Sequence, residues 1–85
     1  MTSRTITVLY FAAVRELVGR DEERLVLPEA VGTVGALSAH LEGLHEALAG
    51  RLSAVRFARN EVFAGLGEAL ADGDVVAVIP PVAGG

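Results

Sequence analysis

The chain has 85 residues, 52% of them hydrophobic, a formal net charge of −4 and no cysteine; this length sets one domain, 1–85, and the absent thiols exclude a disulfide framework, a thiol nucleophile and a thiolate metal site. No apolar run approaches the ~18 residues a membrane span requires, and Met1-Thr2-Ser3-Arg4 passes at once into a strand-like pattern with no secretory core, so a cytoplasmic protein away from the membrane is expected. All seven basic residues are arginines, scattered and outnumbered by eleven acids, which argues against nucleic acid as a partner.

The first predicted element is a strand, Thr5 to Phe11, β-branched and aromatic. Alternation puts Ile6, Val8 and Tyr10 on one face and Leu9 and Phe11 on the other. Both faces are apolar at the far end, as in a central strand. Ala12 to Val18 suits a short helix stopped by Gly19. Glu23 to Leu27 is a second strand, ended by Pro28. Thr33 is a candidate N-cap for the one long helix. Leu37, Leu41, Leu44 and Leu48 then recur at spacings of four, three and four, a core-facing stripe with Val34 at its margin. Gly43 weakens that helix and Gly50 ends it. Val55 to Ala58 and Glu61 to Phe63 read as two short strands joined by a tight turn at Arg59-Asn60. Gly65 to Ala71 is loop or a single helical turn. Asp72-Gly73-Asp74 is a turn, and Val75 to Ile79 is the last strand.

The order is therefore strand, strand, helix, strand, strand, strand. A hairpin, a helix crossing one face and a returning final strand placed beside the first describe an α+β fold. The expected architecture is the ubiquitin-like β-grasp, a mixed sheet of about five strands on one main helix.

Few residues suit side-chain chemistry. His40 and His45 are five apart, about 140° around a helix, so they do not chelate one metal, and no metal site is expected. Ser3, Ser38 and Ser53 lack a nucleophile elbow. The glycines form neither a dinucleotide fingerprint nor a phosphate loop. Arg15-Glu16 suits a solvated helix face better than a partner contact. What remains is the end of the sequence, Ile79-Pro80-Pro81-Val82-Ala83-Gly84-Gly85. The prolines stiffen the stem. Glycine lacks a Cβ, so Gly84-Gly85 fits through a narrow channel. Residues 82–85 are expected to form a flexible tail on a rigid strand, with an extended reach of about 13 Å. The α-carboxyl of Gly85 is anionic at neutral pH and a poor acyl electrophile. To react it must first gain a leaving group, for instance by adenylation with ATP.

The segment from Val8 to Gly19 resembles the N-terminal signature of the small subunit of molybdopterin synthase, and the segment from Asp72 to Gly85 resembles its C-terminal signature. Asn60, after a strand, also fits, and the resemblance spans the chain. It implies a ubiquitin-like sulfur carrier that is not an enzyme on its own and binds no cofactor. An adenylating partner uses ATP to activate the terminal glycine. A sulfur donor converts it to a thiocarboxylate, which donates sulfur to cyclic pyranopterin monophosphate inside the large subunit. A heterotetramer with that subunit is expected. By this resemblance Gly85 carries the sulfur and Gly84 permits insertion. Phe11, Phe63 and Ile79 match an apolar docking surface, and the stem Pro80, Pro81, Val82 and Ala83 enters the partner with the tail. Ile79 departs from the aromatic residue frequent at its position. The alternatives are a carrier for thiamine or tRNA thiolation, and a ubiquitin-like protein modifier.

Overall fold

The computed structural model describes residues 3–81, in which five strands and two helices follow one another. They are β1 (Arg4–Tyr10), α1 (Ala12–Val18), β2 (Glu22–Leu27), α2 (Val34–Leu44), β3 (Arg56–Arg59), β4 (Val62–Ala64) and β5 (Val75–Ile79), with a 3-10 turn at Glu46–Leu48. The sheet order is β2-β1-β5-β3-β4. β1 and β5 run parallel at its centre, and the other neighbours are antiparallel. This is the ubiquitin-like β-grasp, with the last strand beside the first as expected.

One face of the sheet holds the core. Ile6, Val8, Tyr10, Phe57, Val76 and Val78 project from it and meet Val34, Leu37 and Leu41 of α2. Alternation in β1 and β5 sets this pattern, because successive side chains point to opposite faces. Thr33 caps α2 as expected, its Oγ1 accepting from the Ala36 amide at 3.1 Å. Segment 65–71 forms no helix; it bridges to the start of α2 at Thr33–Ala69. There the Gly35 amide donates to the Leu66 carbonyl at 2.7 Å. A Cβ on Gly35 would stand 3.1 Å from that oxygen, a tight contact that the Leu66 backbone would have to relax by a few tenths of an ångström to accept.

Three boundaries differ from the sequence reading. β1 ends at Tyr10, and Phe11 leaves the strand as the N-cap of α1. Its successor Ala12 has φ +50, a left-handed conformation uncommon for alanine. The tight turn is Asn60-Glu61, one residue later than expected, and both have positive φ (51° and 73°) as a type I′ hairpin demands. β3 and β4 shift by one with it. The third difference is α2, which stops at Leu44 instead of running to Leu48. His45 adopts extended backbone (φ −121°, ψ 100°) and its Nε2 lies 2.7 Å from Glu23 Oε1 on β2. Leu44 is left 47% exposed, whereas the 3-10 turn returns Leu48 to full burial. The leucine spacing identified a core stripe, but a polar tether across to β2 redirects the chain within it.

Candidate functional site

The end of β5 is positioned by a polar network at its beginning. Asp72 Oδ1 accepts from the Thr5 amide at 2.7 Å, and the Gly73 amide donates to the Thr5 carbonyl at 2.8 Å. Asp74 is only 5% exposed. Its Oδ2 accepts from Arg59 Nε and from the Ala71 amide, both at 2.7 Å, and its Oδ1 from Asn60 Nδ2 at 3.0 Å. Asn60 Oδ1 in turn accepts from the Val75 amide at 2.9 Å. Arg59 also reaches Glu68 at 3.3 Å. The Asp72-Gly73-Asp74 turn thus ties β5 to β1 and to the β3–β4 hairpin.

Burial alone would raise the Asp74 pKa, but the hydrogen bonds from Arg59, Ala71 and Asn60 outweigh it and hold the carboxyl below the usual aspartate range. A depressed folded-state pKa stabilises the fold above the unfolded value, near ~3.9, and that stabilisation disappears as pH falls through the folded value. Asp74→Ala is therefore expected to cost about 3 kcal/mol at neutral pH, since it orphans three donors around a buried site. The difference from wild type narrows as pH falls from the unfolded value, ~3.9, through the lower folded value. Denaturant melts at neutral and acid pH check this. A loss under about 1 kcal/mol, or one that does not narrow in acid, contradicts it.

A second network lies on the core side. Tyr10 donates its hydroxyl to Glu23 Oε1 at 2.7 Å, the oxygen also approached by His45, while Arg20 Nη1 reaches Oε2 at 3.1 Å. Tyr10 and His45 stack edge-on, with centroids 5.9 Å apart. Burial and the Glu23 contact push the Tyr10 pKa up. For Glu23, burial again acts upward, and His45, Tyr10 and Arg20 bring the net value below the usual glutamate range. Every buried side-chain polar atom among the described residues has a partner, so this cluster is a completed tether. His45 belongs to this tether, and His40 is not part of the cluster. No group of three or more metal-ligating side chains occurs among the described residues.

The opposite face of the sheet is uncovered, and here the structure brings Phe11, Phe63 and Ile79 together. Register pairs Leu9 with Ala77, Ala77 with Ala58, and Ala58 with Phe63, one row across four strands. The two alanines form the floor of a depression of about 360 Å³, walled by Leu9, Phe11, Phe63, Val75 and Ile79, with Glu61 as the one charged residue lining it. Phe11 is 43% exposed and Phe63 64%. These phenylalanines are not core residues; Phe57, at 3% exposure, is. Two exposed aromatics on one apolar face are the usual mark of an interaction surface. Ile79 closes β5 at the rim, followed by half-buried Pro80 and exposed Pro81. Val82, Ala83, Gly84 and Gly85, and with them the expected flexible tail, lie outside the described residues. Arg15 and Glu16 are exposed on α1, with Arg15 3.8 Å from Asp21, as a solvated helix face.

Sequence reasoning missed the Asp74 and Glu23 networks and the alanine floor. The floor carried a signal, since Ala58 and Ala77 break runs of larger residues at alternating positions. The networks carried none, because the bonds that close them from Tyr10 and His45 to Glu23, and from Arg59 and Asn60 to Asp74, join residues 13 to 22 apart.

The ThiS family matches residues 8–85. The molybdopterin synthase sulfur carrier subunit of Chlamydomonas reinhardtii is 40% identical over 82 residues, which cover 94% of this chain and 98% of the relative. The crystal structure of SAMP1 from Haloferax volcanii superposes with a TM-score of 0.83 at 34% identity, covering 95% of this chain and 99% of that one. A Helicobacter pylori chain, in a complex of subunits 1 and 2 of molybdopterin-converting factor, has a TM-score of 0.69 at 26% identity, covering 95% and 99%. The family match is continuous from residue 8 to residue 85, and the chain belongs to the ThiS family.

Proposed function

We propose that this protein is a sulfur carrier in molybdenum cofactor biosynthesis, with Gly85 as the group that bears the sulfur. The observation that carries the reading is the apolar face at the end of β5. Leu9, Phe11, Phe63 and Ile79 wall the depression, and Pro80-Pro81 follows directly on Ile79 at the end of β5. A partner seated there receives the Gly-Gly segment directly. The name of the C. reinhardtii relative and the two-subunit complex from H. pylori support a sulfur-carrying role beside a large subunit.

The chemistry follows from the carboxylate. The Gly85 carboxylate attacks the α-phosphorus of ATP on an adenylating partner, and pyrophosphate leaves. Sulfur from a donor, at the sulfide level, displaces AMP from the acyl-adenylate and leaves a thiocarboxylate. Gly84 offers no side chain to obstruct entry into either active site. In the large subunit the sulfur passes to cyclic pyranopterin monophosphate, and water returns the glycine to a carboxylate. The chain supplies docking and presentation, and its partners supply catalysis, so it acts as the sulfur-donating subunit and not as an enzyme by itself. An ATP-dependent activation is compatible with work in the cytoplasm.

Reconstitution tests this. The thiocarboxylated chain, the large subunit and cyclic pyranopterin monophosphate should together yield molybdopterin, in an amount limited by the thiocarboxylate supplied. No product, with sulfur delivered instead to tRNA or with the chain joined covalently to other proteins, would assign it to the alternative carriers or to the modifiers.

A further inference from the structure

Arg56 begins β3 on the uncovered face, in register with Ile79 at the end of β5. Its guanidinium carbon lies 5.4 Å from the centroid of the Phe63 ring. Phe63 walls the apolar depression and also a wider groove, toward α2, that Arg56 helps to line. The cation therefore lies against the same Phe63 ring that walls the depression. Four other arginines are engaged internally. Arg15, Arg20 and Arg59 are ion-paired, and Arg4 donates to the carbonyls of Pro28 and Glu29. Arg56 has no carboxylate within 4 Å and no side-chain hydrogen bond among the described residues; Arg24 and Arg51 share that condition but do not stack on the patch. The nearby acids are otherwise placed: Glu42 accepts from the Gly50 amide at 2.6 Å, and Glu61 lies on the depression side.

A guanidinium stacked on an aromatic ring loses little freedom, and the edge of its fork stays available for a carboxylate. On a chain of net charge −4, such a cation beside an apolar face offers a carboxylate a partner that the acidic surface around it does not. It favours an apolar partner surface that carries an acid and disfavours one that carries a base. We propose that Arg56 is a specificity-determining residue that receives a carboxylate of the partner docked on the Phe11–Phe63–Ile79 face. This rests on the reading of that face as the docking surface for the large subunit.

The test is titration of the large subunit with wild type, Arg56→Gln, Arg56→Lys and Phe63→Asp, at low and high salt, with folding of each variant verified by thermal melting. Arg56→Gln should bind ~10-fold more weakly at low salt, mostly through a slower association rate, and should lose much of the salt dependence. Arg56→Lys, which keeps the charge, should keep the salt dependence. Unchanged binding by Arg56→Gln overturns the proposal. So does an equal loss in Arg56→Gln and Arg56→Lys with the salt dependence intact, because Arg56 then only supports the Phe63 ring. The wild-type and Arg56→Gln pair is also compared without residues 82–85. If their difference vanishes there, Arg56 served the chain's own carboxylate, and the proposal fails. If Phe63→Asp binds as wild type does, the docking surface itself is elsewhere and both readings fail together.

Discussion

Phe63→Ala should leave the isolated chain almost as stable as wild type and weaken its binding to the large subunit by about 2 kcal/mol or more, near thirty-fold. The two halves of this result have one cause. Phe63 lies on β4, the outermost strand, and is 64% exposed, so truncation opens no internal cavity. A stability cost under about 1 kcal/mol is expected, as for surface positions outside caps and networks. In the complex the same ring would be desolvated against the partner, where aromatic anchors carry disproportionate affinity. Phe57→Ala is the internal comparison. Phe57 sits one residue before Ala58 on β3 and points to the other face, where it is 3% exposed. Its loss should cost roughly 3–5 kcal/mol of stability. Denaturant melts of the two variants, beside a titration of each against the large subunit, check the contrast. If Phe63→Ala melts as early as Phe57→Ala, or binds the large subunit at wild-type strength, the uncovered face is not the docking surface.

Removing Gly85 should leave thermal melting near wild type and eliminate sulfur transfer. The core of the described structure runs from Ile6 to Val78, and a terminal glycine has no side chain to add to it. Transfer depends on it entirely, because the proposed acyl-adenylate forms on its carboxyl group. Adding one residue after Gly85 should be equally inactivating, since the carboxyl becomes an amide. Gly84→Val is the graded case. A β-branched side chain restricts the backbone and adds bulk where the segment would enter two active sites. Activation or delivery should fall sharply, with the fold intact. Wild-type transfer by Gly84→Val would show that the missing side chain there is incidental.

The parts of this molecule that follow alternation and helical spacing were legible in the sequence. Ile6, Val8 and Tyr10 face the core because β1 alternates, and Val34, Leu37 and Leu41 do so because α2 repeats every three to four residues. The uncovered aromatic face was only half legible. Alternation put Phe11 opposite Tyr10, but whether the second face is covered depends on how many layers the chain can form, and one main helix covers one face. Phe11 reaches that face from beyond the strand, at a left-handed kink on Ala12 that no local rule signals. The helix end at Leu44 and the buried Asp74 were not legible, because each depends on partners distant in sequence. His45 is drawn to Glu23, and Asp74 to Arg59 and Asn60. The Asp-Gly-Asp turn was evident as a turn, while its work as the anchor of β5 emerged only with the sheet register.

The most direct test of the central claim is the intact mass of the chain after incubation with ATP, the adenylating partner and a sulfide source. The account predicts a gain equal to the replacement of one oxygen by sulfur, located on Gly85 by fragmentation and absent without ATP. An unchanged mass, or a sulfur located anywhere other than Gly85, would contradict it.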